Sequence, residues 1–261
     1  MPQLRLPKPR AIIFDITGTA SNTTFVNRFL VHYLRISVKS FIGINWGHVQ
    51  INRDINMLRK AARCNPSWPQ IPDTDSLELI QQAVSDLVNF LIDNNLDCLA
   101  FAQLRFHVWF DGYDKGLLKT PIYSDVAIQM KKWRCDYNIP LYVYSQGWAE
   151  ANRVFMSRTN NGDMSLLIDD YFDTSMGMPT DPATFRKILE QIHQSPSDVV
   201  YLTKSSAAAK CAKNVGIFSI LVLTHKKMQD MISEDDKKEL IIIRTMNEIE
   251  FETILQQQQK N

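Results

Sequence analysis

The sequence lacks several features that would assign it to a specialised class of protein. No apolar run approaches the roughly 20 residues of a membrane-spanning helix, and residues 1–10 lack the apolar segment of a secretory signal peptide. The 29 Lys and Arg residues nearly balance the 28 Asp and Glu residues, so the net charge gives no reason to expect a nucleic acid or a membrane as partner. We therefore expect a cytoplasmic or nuclear protein, and we assume a monomer.

The cysteines do not form a disulfide or zinc-binding pattern. There are four of them, and none belongs to a C-x-x-C pair. Scattered cysteines of this kind are typical of reduced thiols in a cytosolic or nuclear protein. The four are Cys64, Cys98, Cys135 and Cys211.

What the sequence does contain is a short apolar run, residues 11–14, that ends abruptly at Asp15 and a Thr-Gly-Thr turn. Such a run predicts a strand buried on both faces, which is typical of a parallel sheet covered by helices. Asp15 would then lie at the carboxyl end of the strand, where open α/β sheets bind their ligands. From this position Asp15 is either a nucleophile that attacks phosphorus or a cap for the turn or the next helix.

The segment that follows is helical. Between residues 24 and 117 the apolar residues recur at helical spacing, with a break at 43–47 and a proline-rich loop at 65–73. Four helices without an intervening strand predict a helical cap, inserted after the first strand of a sheet. We interpret His107, beside Trp109, as a packed cap histidine rather than a ligand.

Strands and helices alternate in the rest of the chain. Apolar runs at 140–144, 198–203 and 218–223 predict buried strands, and the first two end at Ser145 and at Thr203-Lys204. The alternation predicts a doubly wound parallel sheet, formed by residues 1–23 and 118–261 around the helical insertion at 24–117. Because parallel strands end at the same edge, Asp15, Ser145 and Lys204 should converge on one crevice.

Several short strings resemble one family in their order and spacing. They are D-I-T-G-T at 15–19, H-V-W at 107–109, Y-V-Y-S-Q-G at 142–147, Y-F-D-T at 171–174, F-R-K-I at 185–188 and Y-L-T at 201–203. Together they resemble the enolase-phosphatases, the acireductone synthases of methionine salvage, within the haloacid-dehalogenase-like (HAD) hydrolases. The resemblance implies a HAD-like Rossmannoid core with a cap. It also implies Mg²⁺-dependent dephosphorylation of a 2,3-diketo-5-methylthiopentyl 1-phosphate-type substrate through an aspartyl-phosphate.

Part of the site that this resemblance implies is present. Asp15 matches the family's nucleophile, and Ser145 matches the serine that holds a phosphoryl oxygen. Gln146 replaces a second serine and is followed by Gly147, so residues 145–147 are the implied phosphate-binding loop. A metal ion, if bound at all, would contact Asp15 and the backbone of Thr17.

The remaining implied site residues are replaced. Thr17 stands where the family has the glutamate that acts as general acid and base. Pro179 occupies the position of the phosphate-clamping lysine, and Lys204 that of the metal-binding aspartate. Mg²⁺ should therefore bind weakly or not at all, since it prefers carboxylate ligands.

These replacements predict a catalytically impaired pseudoenzyme that keeps a binding or regulatory role. Its ligand would be a small phosphorylated metabolite or another anion, and an unknown protein partner is also conceivable. The alternative is a residually active phosphatase that uses Asp15 and Ser145. A further hypothesis is that Lys204 forms a direct ion pair with Asp15 and stands in for the missing cation.

Overall fold

The computed structural model describes residues 3–252, which fold as two compact units. One unit is formed by Met1–Thr23 together with Thr120–Asn261, and the other by Thr24–Lys119. The outermost residues of the predicted core, 1–2 and 253–261, lie outside the described range. None of the helices within residues 3–252 combines the length and apolar character that crossing a membrane requires.

The first unit is built on a six-stranded sheet in which every pair of neighbouring strands is parallel. A separate parallel pair joins the N-terminal strand to the last one. The strands are β1 (Leu4–Leu6), β2 (Ala11–Phe14), β3 (Leu141–Tyr144), β4 (Asp170–Phe172), β5 (Val199–Thr203), β6 (Phe218–Val222), β7 (Ile241–Ile243) and β8 (Ile249–Phe251). The predicted α/β fold with a parallel sheet is confirmed.

The order of strands in the large sheet is β4-β3-β2-β5-β6-β7. The chain therefore proceeds outward from β2 through β3 and β4, and then continues on the other side of β2 with β5. Phe14 at the end of β2 pairs with Val143 on one side and with Leu202 on the other. The direction of winding reverses between β2 and β5, which is where open α/β sheets place their ligands.

Strand β2 is buried on both of its faces. Ile12 and Phe14 belong to one core cluster, which contains Trp133, whereas Ala11 and Ile13 belong to another. None of the four strand residues exposes more than 1% of its surface. Successive side chains of a strand point to opposite faces, so burial of both faces requires an uninterrupted apolar run.

The second unit is helical. Its core is formed by apolar side chains from the four long helices, among them Leu34, Leu58, Val84 and Leu104. The elements are α1 (Thr23–Phe25), which begins in the first unit, a π-helical turn (Val26–Leu30), α2 (Val31–Ile44), α3 (Val49–Arg63), α4 (Leu77–Asp93) and α5 (Leu99–Asp114).

A buried polar cluster joins α3 to α5 inside this helical unit. The Asp54 side chain is fully buried, and its Oδ2 lies 2.7 Å from Nδ1 of His107. Nε2 of Gln50 donates a hydrogen bond of 2.9 Å to Oδ1 of Asp54. His107 is thus packed against a buried carboxylate, and the sequence analysis had not predicted that partner.

Helices and short helical turns connect the strands of the sheet. They are α6 (Ser124–Lys131) with a π-helical turn (Lys132–Asp136), α7 (Ala149–Ser157), α8 (Pro182–Gln191), α9 (Ser206–Val215), α10 (Lys226–Asp230), α11 (Glu234–Glu239) and 3₁₀ turns at Ser165–Leu167, Pro196–Asp198 and Met246–Glu248. Asp181 begins α8 by accepting a hydrogen bond from the backbone N–H of Ala183 at 2.9 Å, and Pro182 occupies the first turn. Gly216 ends α9 in the left-handed conformation.

Candidate functional site

The site is organised around Asp15, the residue that follows β2. Its backbone N–H donates to the carbonyl of Leu202 in β5 at 3.0 Å, which continues the sheet pairing by one residue. Ser145, the residue after β3, donates a hydrogen bond of 2.7 Å from its Oγ to Oδ1 of Asp15. Two side chains that lie 130 residues apart in the chain are therefore in direct contact at the carboxyl edge of the sheet.

The carboxyl group of Asp15 is held in an environment that disfavours its charge. Burial raises the pKa of Asp15, and this effect exceeds three that lower the pKa: the Ser145 hydrogen bond, the charge of Lys204, and the backbone N–H groups of Ile16 and Thr17. Burial likewise raises the pKa of the neighbouring Tyr201, and the Asp15 carboxylate raises it further. The nearby donors and the Lys204 charge therefore offset only part of the free-energy cost of removing the Asp15 carboxylate from water.

The turn after Asp15 is compact and depends on a glycine. Gly18 has a φ of +85°, a conformation that favours glycine, and its N–H donates to the carbonyl of Ser21 at 2.6 Å. A Cβ atom at this position would collide with Cδ of Lys204 and would lie 2.8 Å from Cγ2 of Thr23. The aliphatic part of Lys204 consequently lies directly on the backbone of the turn.

Lys204 does not form the direct ion pair with Asp15 that the sequence suggested. Among residues 3–252, neither an ion pair nor a hydrogen bond joins the Lys204 ammonium to the Asp15 carboxylate. The ammonium instead lies 3.1 Å from the point that a Cβ of Gly18 would occupy, and its charge acts on Asp15 over a longer distance. The close packing of the lysine stem on Gly18 is the physical reason for this difference.

The start of α7, just after the loop at residues 145–147, is held by Asp173, which is not among the site residues predicted from the sequence. Asp173, which follows β4, accepts a hydrogen bond of 2.7 Å from the N–H of Ala149, the first residue of α7. Its other carboxylate oxygen accepts a hydrogen bond of 2.8 Å from the N–H of Ser175. Burial opposes the charge of Asp173, but these hydrogen bonds prevail and lower its pKa. The Y-F-D-T string was a usable signal for this residue.

The other predicted residues are less engaged in this structure. The side chain of Gln146 is exposed and makes no hydrogen bond within the described part of the chain. Gly147 has a φ of +94°, as a tight loop requires. Pro179 is partly buried in the loop before α8. Thr17 pairs through its backbone with Ser21.

The donor atoms at this edge do not fit a magnesium ion. Asp15 is the one carboxylate that directly follows β2, β3 or β5, and both oxygens of Asp173 already accept backbone hydrogen bonds. Residues 3–252 contain no group of three His, Cys, Asp or Glu side chains that could hold a metal. A divalent cation 4 Å from an ammonium is repelled by about 8 kcal/mol at an effective dielectric constant of 20. Lys204 therefore works against a metal here.

Replacing Asp15 by asparagine should raise the free energy of unfolding at neutral pH. Because folding raises the pKa of Asp15, the stability linked to its protonated form is fully present below pH 3.8 and is lost as pH rises through the folded-state pKa. The variant Asp15→Asn carries no such charge, and each unit of pKa difference corresponds to about 1.4 kcal/mol. Urea unfolding at acidic and neutral pH measures the difference in free energy of unfolding between Asp15→Asn and the wild type. This difference should shrink as pH approaches 3.8.

The matched control for this measurement is Asp173→Asn. Folding lowers the pKa of Asp173, so its stabilising contribution is present above pH 3.8 and is lost as pH falls through the folded-state value. This variant should therefore be less stable than the wild type at neutral pH. If Asp15→Asn were also less stable there, the account of Asp15 as an undercompensated buried group would be wrong.

Comparison with known proteins shows relatives that match along most of the chain. No protein-family model matches it. The chain is 26% identical over 251 residues to enolase-phosphatase E1 of Danio rerio, which covers 93% of this chain and 95% of the relative. It is 28% identical over 251 residues to enolase-phosphatase E1 of Xenopus tropicalis, with coverage of 94% and 96%. The protein of the same name from Persephonella marina is 28% identical over 209 residues, with coverage of 80% and 86%.

Solved structures share the fold. The UTR4 protein of Saccharomyces cerevisiae superimposes with a TM-score of 0.72 at 20% identity, over 91% of this chain and 98% of that one. The putative HAD-hydrolase YfnB of Bacillus subtilis, solved with magnesium bound, superimposes with a TM-score of 0.52 at 14% identity, over 92% and 96%. Similarity in sequence to the enolase-phosphatases and in fold to the solved UTR4 protein and a putative HAD-hydrolase therefore extends along nearly the whole chain.

Proposed function

We propose that this protein binds a small oxyanion or phosphorylated metabolite at the carboxyl edge of the sheet and has lost efficient phosphatase turnover. The proposal is supported by the pattern of retained and replaced side chains at the site. Asp15 and Ser145 keep their mutual contact, while Thr17, Pro179 and Lys204 stand where the family has its acid-base, clamping and metal-binding residues.

The chemistry of these replacements explains the expected loss. The hydroxyl of Thr17 does not ionise near neutral pH, so it is a poor substitute for a carboxyl group that gives a proton to a leaving alcohol and later takes one from water. Loss of general acid-base catalysis typically costs about 10²–10⁴ in rate. A bound magnesium ion would supply charge neutralisation to a phosphoryl group, but the donor set around Asp15 does not fit one. The residues that remain can bind and orient an anion: Lys204 by its charge, and Ser145 by its hydroxyl group once the proton turns away from Asp15.

The proposal extends to the helical unit, the cellular compartment and the role of the protein. We take the helical unit, Thr24–Lys119, to be a cap of the type that the family carries. All four cysteines are free, two of them exposed, which suits a reducing compartment such as the cytoplasm or nucleus. The role would be regulatory, either as a monomeric sensor of a metabolite or through a protein partner.

A residual phosphatase is the second candidate, and one observation favours it. The Asp15 carboxylate forms no ion pair with Lys204, and within residues 3–252 no other cation contacts it directly. A carboxylate in that state can still attack phosphorus.

A phosphatase assay separates the two candidates. Full-length protein is incubated with Mg²⁺ and either a generic phosphate ester or the family's diketo-phosphopentane substrate, beside the variant Asp15→Asn. We expect phosphate release to stay at the level of Asp15→Asn with and without Mg²⁺. Turnover that needs Mg²⁺ and disappears in Asp15→Asn would establish the residual phosphatase instead.

A further inference from the structure

The ammonium of Lys204 has no counter-ion in contact within the described residues. Lys204 is only partly exposed, yet within residues 3–252 its ammonium neither donates a hydrogen bond nor forms an ion pair. Most other partly buried cations of this unit are paired; Lys210, for example, contacts both Asp236 and Glu239. A half-buried ammonium without a paired carboxylate leaves its three N–H donors available to a ligand.

The position of that ammonium is set by the backbone rather than by chance. The lysine stem packs on Gly18, where any larger residue would collide with it. This contact brings the ammonium beside the turn that follows Asp15, at the reversal point between β2 and β5. Lys204 is therefore held at the ends of the two central strands, where its charge acts on the Asp15 carboxyl that Ser145 contacts.

A divalent metal and this ammonium are alternatives for the same site. Both supply positive charge to an anion at the strand ends, and they repel each other when close together. An ammonium needs no carboxylate ligands, whereas magnesium needs near-octahedral oxygen donors. The replacement of a carboxylate by Lys204 removes a ligand for the metal and adds the charge that the metal would supply.

We propose that the Lys204 ammonium is the resident cation of this site, so that the site binds a tetrahedral oxyanion of the phosphate class without any divalent metal. The proposal rests on the anion binding put forward above as the function, and it adds the group responsible and the absence of a metal requirement. Ser145, which follows the strand on the opposite side of β2, would supply a second donor by turning its hydroxyl proton from Oδ1 of Asp15 to the anion.

Calorimetric titration of the full chain with inorganic phosphate tests this proposal. Binding should have the same dissociation constant in EDTA and in excess Mg²⁺, and Mg²⁺ alone should produce no binding heat. Lys204→Met should weaken phosphate binding by roughly 10- to 100-fold, as expected for the loss of one hydrogen bond to a charged group. Lys204→Arg should retain most of the binding. The matched control, Lys226→Met, removes an exposed lysine that follows β6 and should bind like the wild type.

Three results would overturn the proposal: phosphate binding that requires Mg²⁺, unchanged binding in Lys204→Met, or no phosphate binding under either condition. If Lys204→Met does not fold, phosphate titration of Lys204→Gln and of the wild type in EDTA and in Mg²⁺ tests the proposal instead. The other half of the proposed function, the loss of phosphatase turnover, fails separately, through Mg²⁺-dependent turnover in the phosphatase assay. Metal-free phosphatase turnover that depends on Lys204 would contradict the loss of turnover but would support Lys204 as the resident cation.

Discussion

The triple variant Thr17→Glu, Pro179→Lys, Lys204→Asp should show Mg²⁺-dependent phosphatase activity well above that of the wild type. Each change restores the side chain that the resemblance implies at that position: the acid-base carboxylate, the phosphate clamp and the metal ligand. Restoring general acid-base catalysis alone is worth about 10²–10⁴ in rate, and a metal adds transition-state charge stabilisation. The measurement is phosphate release from the diketo-phosphopentane substrate and a generic ester, with Mg²⁺ and with EDTA.

Two controls define what this result means. Addition of Asp15→Asn to the triple variant should abolish the gained activity, because Asp15 is the proposed nucleophile. The single variant Lys204→Asp should gain little turnover, since groups that act as a unit are not additive. A triple variant that folds, binds Mg²⁺ and stays inert would show that the deficit lies outside the three replaced positions.

The second large effect concerns stability. His107→Leu should lower the free energy of unfolding by about 3 kcal/mol, because it removes the imidazole that contacts the buried Asp54 carboxylate and leaves Gln50 as its remaining side-chain partner. We place the effect at the low end of the range for broken buried pairs, since the His107 side chain remains 25% exposed. Urea unfolding followed by circular dichroism measures the loss, with attention to separate transitions for the two units.

A double-mutant cycle gives the control. The pair Asp54→Leu, His107→Leu removes both members, so it should recover much of the stability lost in His107→Leu. His32→Leu, at an exposed position of α2, should change stability by less than about 0.5 kcal/mol. If His107→Leu behaved like His32→Leu, the buried contact with Asp54 would carry little of the stability of the helical unit.

The central part of the fold was readable from the sequence because its signal is local. Strands β2, β3 and β5 are buried on both faces, and this burial produces short continuous apolar runs that end at polar residues. Parallel strands then bring those ends to one edge, so the contact of Asp15 with Ser145 follows from topology without any knowledge of the intervening 130 residues.

Other features carry no local signal. Strands β1 and β8 have three residues each, too few to show a period, and their pairing joins the two ends of the described chain. The Asp54 carboxylate lies in a polar stretch of α3, and its partner His107 is 53 residues away on another helix. Contacts of this kind become visible only when the packing of separate elements is known.

The sequence by itself determined which chemical groups stand at the end of each central strand: Asp15, Ser145 and Lys204. Tertiary structure alone decided how they meet. Ser145 reaches Asp15 because a serine is short and its strand is adjacent. Lysine is long and flexible, so its ammonium goes where packing directs it, which here is onto Gly18 and not into an ion pair with Asp15.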